Sequence, residues 1–298
     1  MKLLSFKDSN VTAFGTFIDD TLVNLGSLVK AYEEEVLRNK VSSCINMIEF
    51  LSSGYWEKEK FVSLQSYLTE RHHLKRFAVS SGYQTLAPVP RPPKIIALGR
   101  NYALHAAESK MPVPTEPIIF SKTSSSVIGP GGTILIPRDV GRIDHEVELA
   151  VVIGKKAKSV PAAHAYEFVA GYTIALDISA RDLQRADIEK RNPWYRSKNF
   201  DTFTPVGPWI VTADEIPAPI ELEIELSVNG QVRQKANTRE MIFDIPTTIE
   251  FITRYITLEP GDIISTGTPE GIGPIKDGDR IVSRIEKVGE MVNTVKEL

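Results

Sequence analysis

Two short runs of the sequence are apolar at nearly every position, ELAVVIG at 148–154 and VAGYTIAL at 169–176. Successive side chains of a β-strand point to opposite faces, so strands built from these runs are apolar on both faces. A strand of this kind is stable only where both of its faces are covered. The two runs therefore predict strands in the interior of a core.

Further β-rich runs follow at close spacing, and few helical patterns separate them: KIIALG, PIIFSK, TILIP, WIVTA, IELEIELSVNG and GDIISTG. Helices are predicted at about 103–110 and 179–190, the second with Ser179 as its N-cap. This pattern favours an α+β fold that is mainly β, built as a sandwich or roll.

The first 88 residues differ from the rest of the sequence, because helical patterns predominate over β-rich runs. Residues 11–26 predict two short strands joined at Asp19 and Asp20, and helical periods follow at about 27–38, 43–52 and 57–76. The segment APVPRPPK at 87–94 is then rich in proline, which is incompatible with a helix or an interior strand and favours an extended connector. We therefore predict a small N-terminal α+β domain at 1–88 and a second domain at 89–298.

The composition is that of a globular protein, with 298 residues of which 42% are hydrophobic and 24% charged. The formal net charge of −3 and the lack of a long Lys/Arg run indicate no binding of nucleic acid or an anionic membrane, so we expect a small-molecule partner. Cys44 is the only cysteine, which excludes an internal disulfide and a thiolate zinc site. No signal-peptide pattern or membrane-spanning run is evident, so we expect a cytoplasmic protein.

Three carboxylates, Asp144, Glu146 and Glu148, stand two positions apart at the start of the first apolar run and share one strand face. A solvated strand end is the simpler alternative, and the segment IELEIELSVNG shows that ordinary alternation of apolar and acidic residues. At 144–153, by contrast, both faces turn apolar. Like charges buried there repel one another and lose hydration, which favours a divalent cation between them.

Asp177 directly follows the second apolar run, where helix capping is the simpler alternative. With Glu146 and Glu148 it would complete an all-oxygen ligand set, which suits Mg²⁺ or Mn²⁺ and leaves positions open for water and substrate. Asp144 shares the ligand face but is expected nearer the rim. His145 points to the opposite face and is expected to be hydrogen-bonded rather than metal-bound.

His105 and Glu108 stand three residues apart in GRNYALHAAES, so they share one face of the predicted helix. There the carboxylate can orient and charge the imidazole, although a solvated surface pair is the alternative. Arg181 and Lys198 follow Asp177 along the chain, and such cations can hold a substrate carboxylate or an enolate oxygen.

The strand predicted at GDIISTG ends in the small residues Thr266, Gly267 and Thr268. The exposed backbone N–H groups of such a loop could bind a carboxylate. A plain turn before Pro269 is the alternative.

Taken in order, six segments resemble the motifs of the fumarylacetoacetate hydrolase family, over roughly residues 94–296: GRNYALHAAES, DHEVELAVVIGK, YTIALDISARDLQ, RSKNFDTFTPVGPW, VNGQVRQ and LEPGDIISTGTPEGIG. The resemblance implies a mixed β-sandwich roll, a homodimer, and Mg²⁺ or Mn²⁺ held by Glu146, Glu148 and Asp177. It implies an acid–base pair on a mobile lid, His105 and Glu108, and positions around a bound oxo acid at Arg181, Gln184, Lys198 and Thr268.

The resemblance has two limits. Leu104 stands where many relatives carry an acidic residue before the histidine, so a fourth protein ligand stays open. Residues 1–88 resemble the variable leading domain of longer bacterial members, which suggests that they build the dimer or cover the site.

An open, oxygen-ligated cation suits chelation of a 2-oxo carboxylate, because it polarises the carbonyl and stabilises the enolate formed beside it. For a 2,4-dioxo acid, His105 supported by Glu108 would deprotonate a water that attacks the C4 carbonyl. We therefore expect acylpyruvate- or fumarylpyruvate-type hydrolysis of a C–C bond. Decarboxylation of oxaloacetate and isomerisation of a 2-oxo acid are alternatives on the same site, and a non-catalytic metal- and dicarboxylate-binding sensor or scaffold is an alternative of another class.

Overall fold

The computed structural model of the protein describes residues 1–38, 44–70, 73–108 and 112–298. In the N-terminal part, short strands precede and follow a group of helices: β1 (Lys2–Asp8), β2 (Val11–Ile18), β3 (Thr21–Asn24), α1 (Leu25–Glu35), α2 (Met47–Ser53), α3 (Lys58–Glu70), α4 (Leu74–Phe77) and β4 (Gln84–Thr85). The two strands predicted around Asp19 and Asp20 are confirmed as β2 and β3.

Strands dominate the rest of the chain: β5 (Ile95–Gly99), β6 (Ile118–Lys122), β7 (Val127–Ile128), β8 (Thr133–Ile136), β9 (Ile143–His145), β10 (Val147–Ile153), β11 (Val169–Leu176), β12 (Ser179–Ala180), β13 (Thr204–Thr212), β14 (Glu223–Val228), β15 (Gln231–Asn237), β16 (Ile263–Ser265), β17 (Gly273–Pro274), β18 (Arg280–Ile285) and β19 (Gly289–Glu297). The helices among them are α5 (Ala103–Glu108), α6 (Arg181–Glu189), α7 (Tyr195–Lys198) and α8 (Ile245–Tyr255).

The largest sheet has 11 strands in the order β3-β2-β1-β13-β11-β10-β16-β5-β6, with β4 beside β1 and β7 beside β13. Its interior strands β10 and β11 are the two apolar runs of the sequence, and every residue of both is buried. A 5-stranded sheet has the order β15-β14-β18-β19-β8, and a 3-stranded one the order β12-β9-β17.

Both faces of β10 are covered, as the sequence requires. On one face Leu149 and Val151 belong to a core shared with Ile224 and Leu226 of β14 in the 5-stranded sheet. On the other face Val152 belongs to a second core, which includes buried residues of helices α1, α2 and α3: Leu28, Val29, Phe50, Leu51, Phe61 and Leu64. The α+β class with a predominance of strands is confirmed.

The N-terminal part and the rest share one sheet, because β1 pairs antiparallel with β13 through Lys2 opposite Val211 and Leu3 opposite Ile210. The second core joins the same two parts. The division at residues 88 and 89 therefore separates segments that are packed together, and their independence as domains stays a prediction.

Several local predictions need correction. Helix α6 begins at Arg181, with Ala180 as its N-cap, so Ser179 is not a cap. The reason is that Ser179 lies in β12, paired with Asp144 of β9, and its hydroxyl donates to the Asp177 carbonyl. The helix predicted at 57–76 is divided into α3 and α4, with residues 71–72 outside the described part. The strand predicted at 144–153 is interrupted at Glu146, and β1 had no prediction.

The other helical predictions hold within a few residues. The segment predicted at 27–38 overlaps α1, which begins two residues earlier and ends at Glu35, and the segment predicted at 43–52 contains most of α2, although residues 39–43 lie outside the described part. The helix predicted at 103–110 is α5, and residues 109–110 lie outside it as well. The described residues include no helix that is long and apolar enough to cross a membrane.

Candidate active site

A cavity of about 570 Å³ opens where the ends of β5, β10, β11 and β16 meet helices α5 and α6. Its lining includes each residue that the sequence nominated for the site: His105, Glu108, Glu146, Glu148, Asp177, Arg181, Gln184, Lys198 and Thr268. Segments far apart in sequence thus contribute to one concave surface.

The three candidate metal ligands meet at one end of the β10–β11 pair. These strands run antiparallel, with Glu148 opposite Ala175, and the Asp177 amide donates to the Glu146 carbonyl at 2.9 Å. Each acid is at most 4% exposed. One carboxylate oxygen from each lies within 4.8 Å of the others. The period-2 pattern and the strand-end position therefore bring three buried acids together.

Three buried or nearly buried cations compensate two of these acids. Lys198 Nζ donates to Glu146 Oε2 at 2.9 Å and also contacts Asp177. Lys122 Nζ donates to the other oxygen of Asp177 at 2.5 Å. A guanidinium N–H of Arg181 donates to Glu146 Oε1. Without such partners, burying these carboxylates would cost several kcal/mol per ion.

Glu148 has a different environment. Its Oε2 accepts hydrogen bonds from Ser265 Oγ at 2.5 Å and from the Gly267 amide at 2.9 Å. Burial and the neighbouring charges of Asp177 and Glu146 raise the pKa of Glu148 to about 8. The small-residue loop does bind a carboxylate through a backbone N–H, as the sequence suggested, and this carboxylate belongs to the protein.

The pKa of Glu146 is shifted in the opposite direction. Burial raises it, but the charges of Lys198 and Arg181 prevail and hold the carboxyl well below its usual pKa. Burial lowers the pKa of Lys198, but the charges of Asp177 and Glu146 raise it by more, so the net pKa is above its usual value. For Lys122, burial prevails over Asp177 and the pKa is lowered. The site therefore contains carboxyl groups of very different acidity side by side.

Asp144 belongs to an arginine-binding cluster rather than to the acidic triad. It is completely buried, and its two oxygens accept from Arg142 Nε at 2.6 Å and Arg181 Nε at 2.9 Å. Arg181 also donates through Nη1 to Gln184 Oε1 at 2.6 Å. The expected position of Asp144 near the rim was wrong, because β9 pairs with both β12 and β17 and encloses it. Asp144 fixes the orientation of Arg181.

The lid pair lies on the short helix α5. His105 Nδ1 is 3.5 Å from Glu108 Oε2, which is too long for a hydrogen bond, and Glu108 accepts from the Gly271 amide at 3.2 Å. His105 is 6% exposed and lines the cavity together with Glu146 and Glu148. The two side chains therefore share a face, as predicted, and the imidazole lies beside the metal-ligand candidates.

Asn101 anchors the segment that leads into α5. Its amide nitrogen donates to the carbonyls of Thr266 at 2.8 Å and Phe243 at 3.0 Å, and its oxygen accepts from the Phe243 amide at 2.8 Å. A Cβ atom at Gly267, where φ is +93°, would lie 2.7 Å from Asn101 Cβ. Close backbone approach at Gly267 thus couples the loop that binds Glu148 to the base of the lid.

Thr268 and His145 are connected by Gln234. The Thr268 hydroxyl donates to the Val147 carbonyl at 2.9 Å and accepts from Gln234 Nε2 at 2.8 Å. Gln234 Oε1 lies 3.0 Å from His145 Nδ1. The prediction that His145 is hydrogen-bonded is confirmed. Because the Thr268 hydroxyl proton is engaged, its backbone N–H is the group with which it can contact a ligand.

Sequence reasoning missed several of these residues. Lys122 ends the apolar run PIIFSK, and a lysine terminating a buried strand was a usable signal for a nearby acid. Ser265 likewise ends β16 beside Glu148. Gln234 ends the segment VNGQVRQ, but no role was predicted for it, because its contact with His145 spans 89 residues of sequence.

The residues present suit a hard divalent cation. The three carboxylates converge, all donor atoms are oxygens, and the cluster opens on the cavity. Such a set matches Mg²⁺ or Mn²⁺ and leaves coordination positions for other ligands.

Comparison with known proteins places these features in one family. The family description "Fumarylacetoacetate (FAA) hydrolase C-terminal" matches residues 94–296. An uncharacterised protein of Pyrococcus horikoshii is 56% identical over 67% of this chain and 87% of its own. A mitochondrial oxaloacetate tautomerase of Bos taurus is 43% identical over 84% of this chain and 79% of its own.

A solved structure extends the similarity to the whole chain. The maleylpyruvate hydrolase of Sphingobium sp. SYK-6, in complex with manganese(II) and pyruvate, is 35% identical with a TM-score of 0.78, covering 100% of this chain and 99% of its own. The motifs, the sandwich of sheets and the buried acidic triad agree with these comparisons. The chain belongs to the fumarylacetoacetate hydrolase family.

Proposed function

We propose that this protein is a metal-dependent enzyme that transfers a proton at the carbon next to the 2-oxo group of a small oxo acid. Its first candidate reaction is keto–enol tautomerisation of oxaloacetate, which the 43% identity to the oxaloacetate tautomerase supports over the hydrolysis expected from the sequence. The observation that carries the proposal is that His105 lines the same cavity as the acidic triad of Glu146, Glu148 and Asp177.

The metal would supply one part of the chemistry. Glu146, Glu148 and Asp177 would hold a divalent cation, which would polarise the 2-oxo group of a bound substrate and make the neighbouring C–H bond more acidic.

Gln184 and Lys198 are placed to orient the substrate. Gln184 Oε1 accepts from Arg181, so its Nε2 group is the one that can donate to a substrate carboxylate. Lys198 remains charged because its pKa is raised, and its ammonium can stabilise negative charge on the substrate oxygen. Arg181 is already bonded to Asp144 and Glu146, so its role is to hold Gln184 and the acid.

His105 is the proposed proton carrier. Its Nδ1 faces Glu108, so Nε2 is the atom directed to substrate. In its unprotonated form the imidazole takes a proton from C3 of the keto form. The resulting imidazolium donates this proton to the C2 oxygen, so the net reaction moves one proton from carbon to oxygen and regenerates the imidazole. Glu108 stabilises the imidazolium that exists between these steps, once the lid closes the 3.5 Å gap to hydrogen-bonding distance.

Hydrolysis of a C–C bond is the second candidate. The similarity to maleylpyruvate hydrolase over the whole chain favours it. In this reaction the pair His105 and Glu108 would take a proton from water instead of from C3, with the remaining residues in the same roles.

The test starts from oxaloacetate supplied in its enol form, with Mn²⁺ present, and follows both the enol absorbance and pyruvate release. The proposal predicts accelerated loss of the enol without pyruvate. Pyruvate from oxaloacetate would identify a decarboxylase, and pyruvate from acetopyruvate with unchanged enol decay would identify the hydrolase. No turnover of any oxo acid would favour a sensor or scaffold.

A homodimer and a cytoplasmic location remain further predictions. Light scattering on the purified full-length chain tests the first, and fractionation of cells that produce the protein tests the second.

A further inference from the structure

We propose that Arg100 binds the remote carboxylate of the substrate and so selects dicarboxylic over monocarboxylic 2-oxo acids. This inference rests on the proposed function for the site and the 2-oxo acid, but it concerns binding and does not depend on which reaction follows.

The starting observation is the pairing of the cations that line the cavity. Arg100 is the lining cation that has no carboxylate within 4.0 Å in the described part of the chain. The other lining cations each lie within that distance of an acid: Arg142 beside Asp144, Arg181 beside Asp144 and Glu146, Arg185 beside Asp182, and Lys198 beside Glu146 and Asp177.

The guanidinium group of Arg100 makes few hydrogen bonds within the described part of the chain. Its Nε is buried and has no hydrogen-bond partner among the described residues. One terminal nitrogen makes a long contact of 3.4 Å with the Pro112 carbonyl. A buried N–H without an acceptor is unfavourable, and arginine matches a carboxylate with two parallel N–H groups. Because Arg100 lines the cavity, a carboxylate there can accept from its terminal N–H groups.

The backbone holds Arg100 firmly in this place. Arg100 directly follows β5 and has a φ of +57°, a conformation that few residues other than glycine adopt. Its neighbour Asn101 makes hydrogen bonds to Thr266 and Phe243, so the base of the lid fixes this turn. The side chain therefore lines the cavity from a rigid position, on the same segment as His105.

The two ends of a dicarboxylic ligand would be bound by different residues of the cavity wall. The 2-oxo carboxylate end of a ligand belongs near Glu146, Glu148 and Asp177, where Gln184 and Lys198 also lie. The cations of that region are paired with acids of the protein, and the one that metal binding would release, Lys198, is assigned to the substrate oxygen at the 2-oxo end. A second carboxylate on the same ligand needs a free donor elsewhere on the wall, and Arg100 is the candidate.

The experiment measures ligand discrimination in the full-length, Mn²⁺-loaded protein. The variants are Arg100→Met, which removes the charge, and Arg100→Lys, which keeps it without the paired N–H groups. Arg138→Met is the matched control, because Arg138 is 73% exposed and lies outside the cavity. Competition calorimetry compares oxaloacetate with 2-oxobutyrate, in which a methyl group replaces the remote carboxylate, and with oxalate.

We expect Arg100→Met to weaken oxaloacetate binding by about 10- to 100-fold, the loss of a charge-assisted contact. Binding of 2-oxobutyrate and oxalate should change less than about 2-fold, since neither reaches Arg100, and Arg100→Lys should fall between wild type and Arg100→Met. Arg138→Met should match wild type throughout.

Equal losses for all three ligands would overturn the inference, because Arg100 would then support the site as a whole. Unchanged oxaloacetate binding would overturn it as well. If the wild type binds oxaloacetate through Arg100 but turns over neither oxaloacetate nor any dioxo acid, the proposed function fails while the role of Arg100 stands.

Discussion

The Nζ atom of Lys198 lies 2.9 Å from Oε2 of Glu146. The ammonium group is therefore hydrogen-bonded to a carboxylate oxygen that would be a ligand of a metal ion. Lys198 contacts Asp177 in the same way. The protein thus carries its own counter-ion for two of the three candidate ligands. Metal binding has to displace this ammonium from at least part of its contacts, which leaves it free to face the substrate.

Replacement of Lys198 by Met should act in opposite directions on the metal-free and metal-bound protein. Loss of a buried partner typically costs about 3–5 kcal/mol, so the melting temperature without metal should fall. Mn²⁺ should then raise it by more than in wild type, because the competing cation is gone. Thermal melts with chelator and with Mn²⁺ measure both effects.

The control for Lys198→Met is Lys235→Met, which removes a pair at 3.5 Å whose lysine is 62% exposed. Such surface pairs contribute about 0–1 kcal/mol, so neither melt should move appreciably. An identical metal-induced shift in wild type and Lys198→Met would contradict competition between lysine and metal.

Metal binding should depend on pH through Glu148. Burial, with the charges of Asp177 and Glu146, raises the pKa of this carboxyl to about 8, whereas an unfolded glutamate titrates near about 4.3. Between about pH 4.3 and about 8, Glu148 therefore keeps its proton in the folded, metal-free protein, whereas in the unfolded chain it has lost the proton. Its contribution to stability is present below about pH 4.3 and is lost as the pH rises through about 8.

Because Glu148 must lose this proton to bind a cation, metal binding near neutral pH should release a proton, and the apparent affinity should rise with pH until about 8. Calorimetry in two buffers of different ionisation enthalpy measures the release. A binding heat that is independent of the buffer would contradict the assignment.

The lid pair should act as a unit. His105→Ala is expected to lower kcat by about 10² to 10⁴, the usual contribution of acid–base assistance, and Glu108→Gln somewhat less. The double variant should lose little more than His105→Ala, since Glu108 acts through the imidazole. Metal affinity should stay close to wild type, because neither residue belongs to the ligand triad. The melting temperature should change little, because α5 has only six residues and His105 Nδ1 has no hydrogen-bond partner among the described residues. Steady-state kinetics on the three variants test this.

A matched control exists in His164, which pairs with Glu167 at the same three-residue spacing and a distance of 2.8 Å. Its side chain is 61% exposed and does not line the cavity. His164→Ala should retain full activity. A fall equal to that of His105→Ala would mean that the loss is not specific to the lid.

Removal of residues 1–88 should destabilise the remaining chain. β1 covers the edge of β13 through Lys2 and Leu3, and helices α1 to α3 cover the face that contains Val152. The shortened chain would expose an unpaired strand edge and part of a core, both of which promote association. Size-exclusion chromatography and a thermal melt compare it with the full-length protein. A monodisperse product with an unchanged melting temperature would establish an independent domain.

Local sequence rules were sufficient for the acidic triad. The period of 2 along a strand placed Glu146 and Glu148 on one face, and a strand end placed Asp177 beside them. The helical spacing of His105 and Glu108 likewise survived in the structure. In each case the deciding information lies within one element or at its end.

Contacts between distant segments could not be predicted in this way. The pair Lys122–Asp177 spans 55 residues and joins the end of β6 to the residue that follows β11, and these two strands are not neighbours in the sheet. The pairing of β1 with β13 spans most of the chain. The prediction that Ser179 caps a helix failed for the same reason. Serine is a favourable N-cap residue, but Ser179 pairs with Asp144 and lies in strand β12. Strand pairing depends on the whole fold and can override the local structural preference of a residue.

The central claim, a divalent metal site at Glu146, Glu148 and Asp177, is tested most directly by calorimetric titration of the metal-free protein with Mn²⁺. We predict one site in wild type, a loss of affinity of more than about 10-fold in Asp177→Asn, and wild-type affinity in Glu223→Gln, which changes an exposed acid of the ordinary strand β14. Equal affinities in all three proteins would contradict the account.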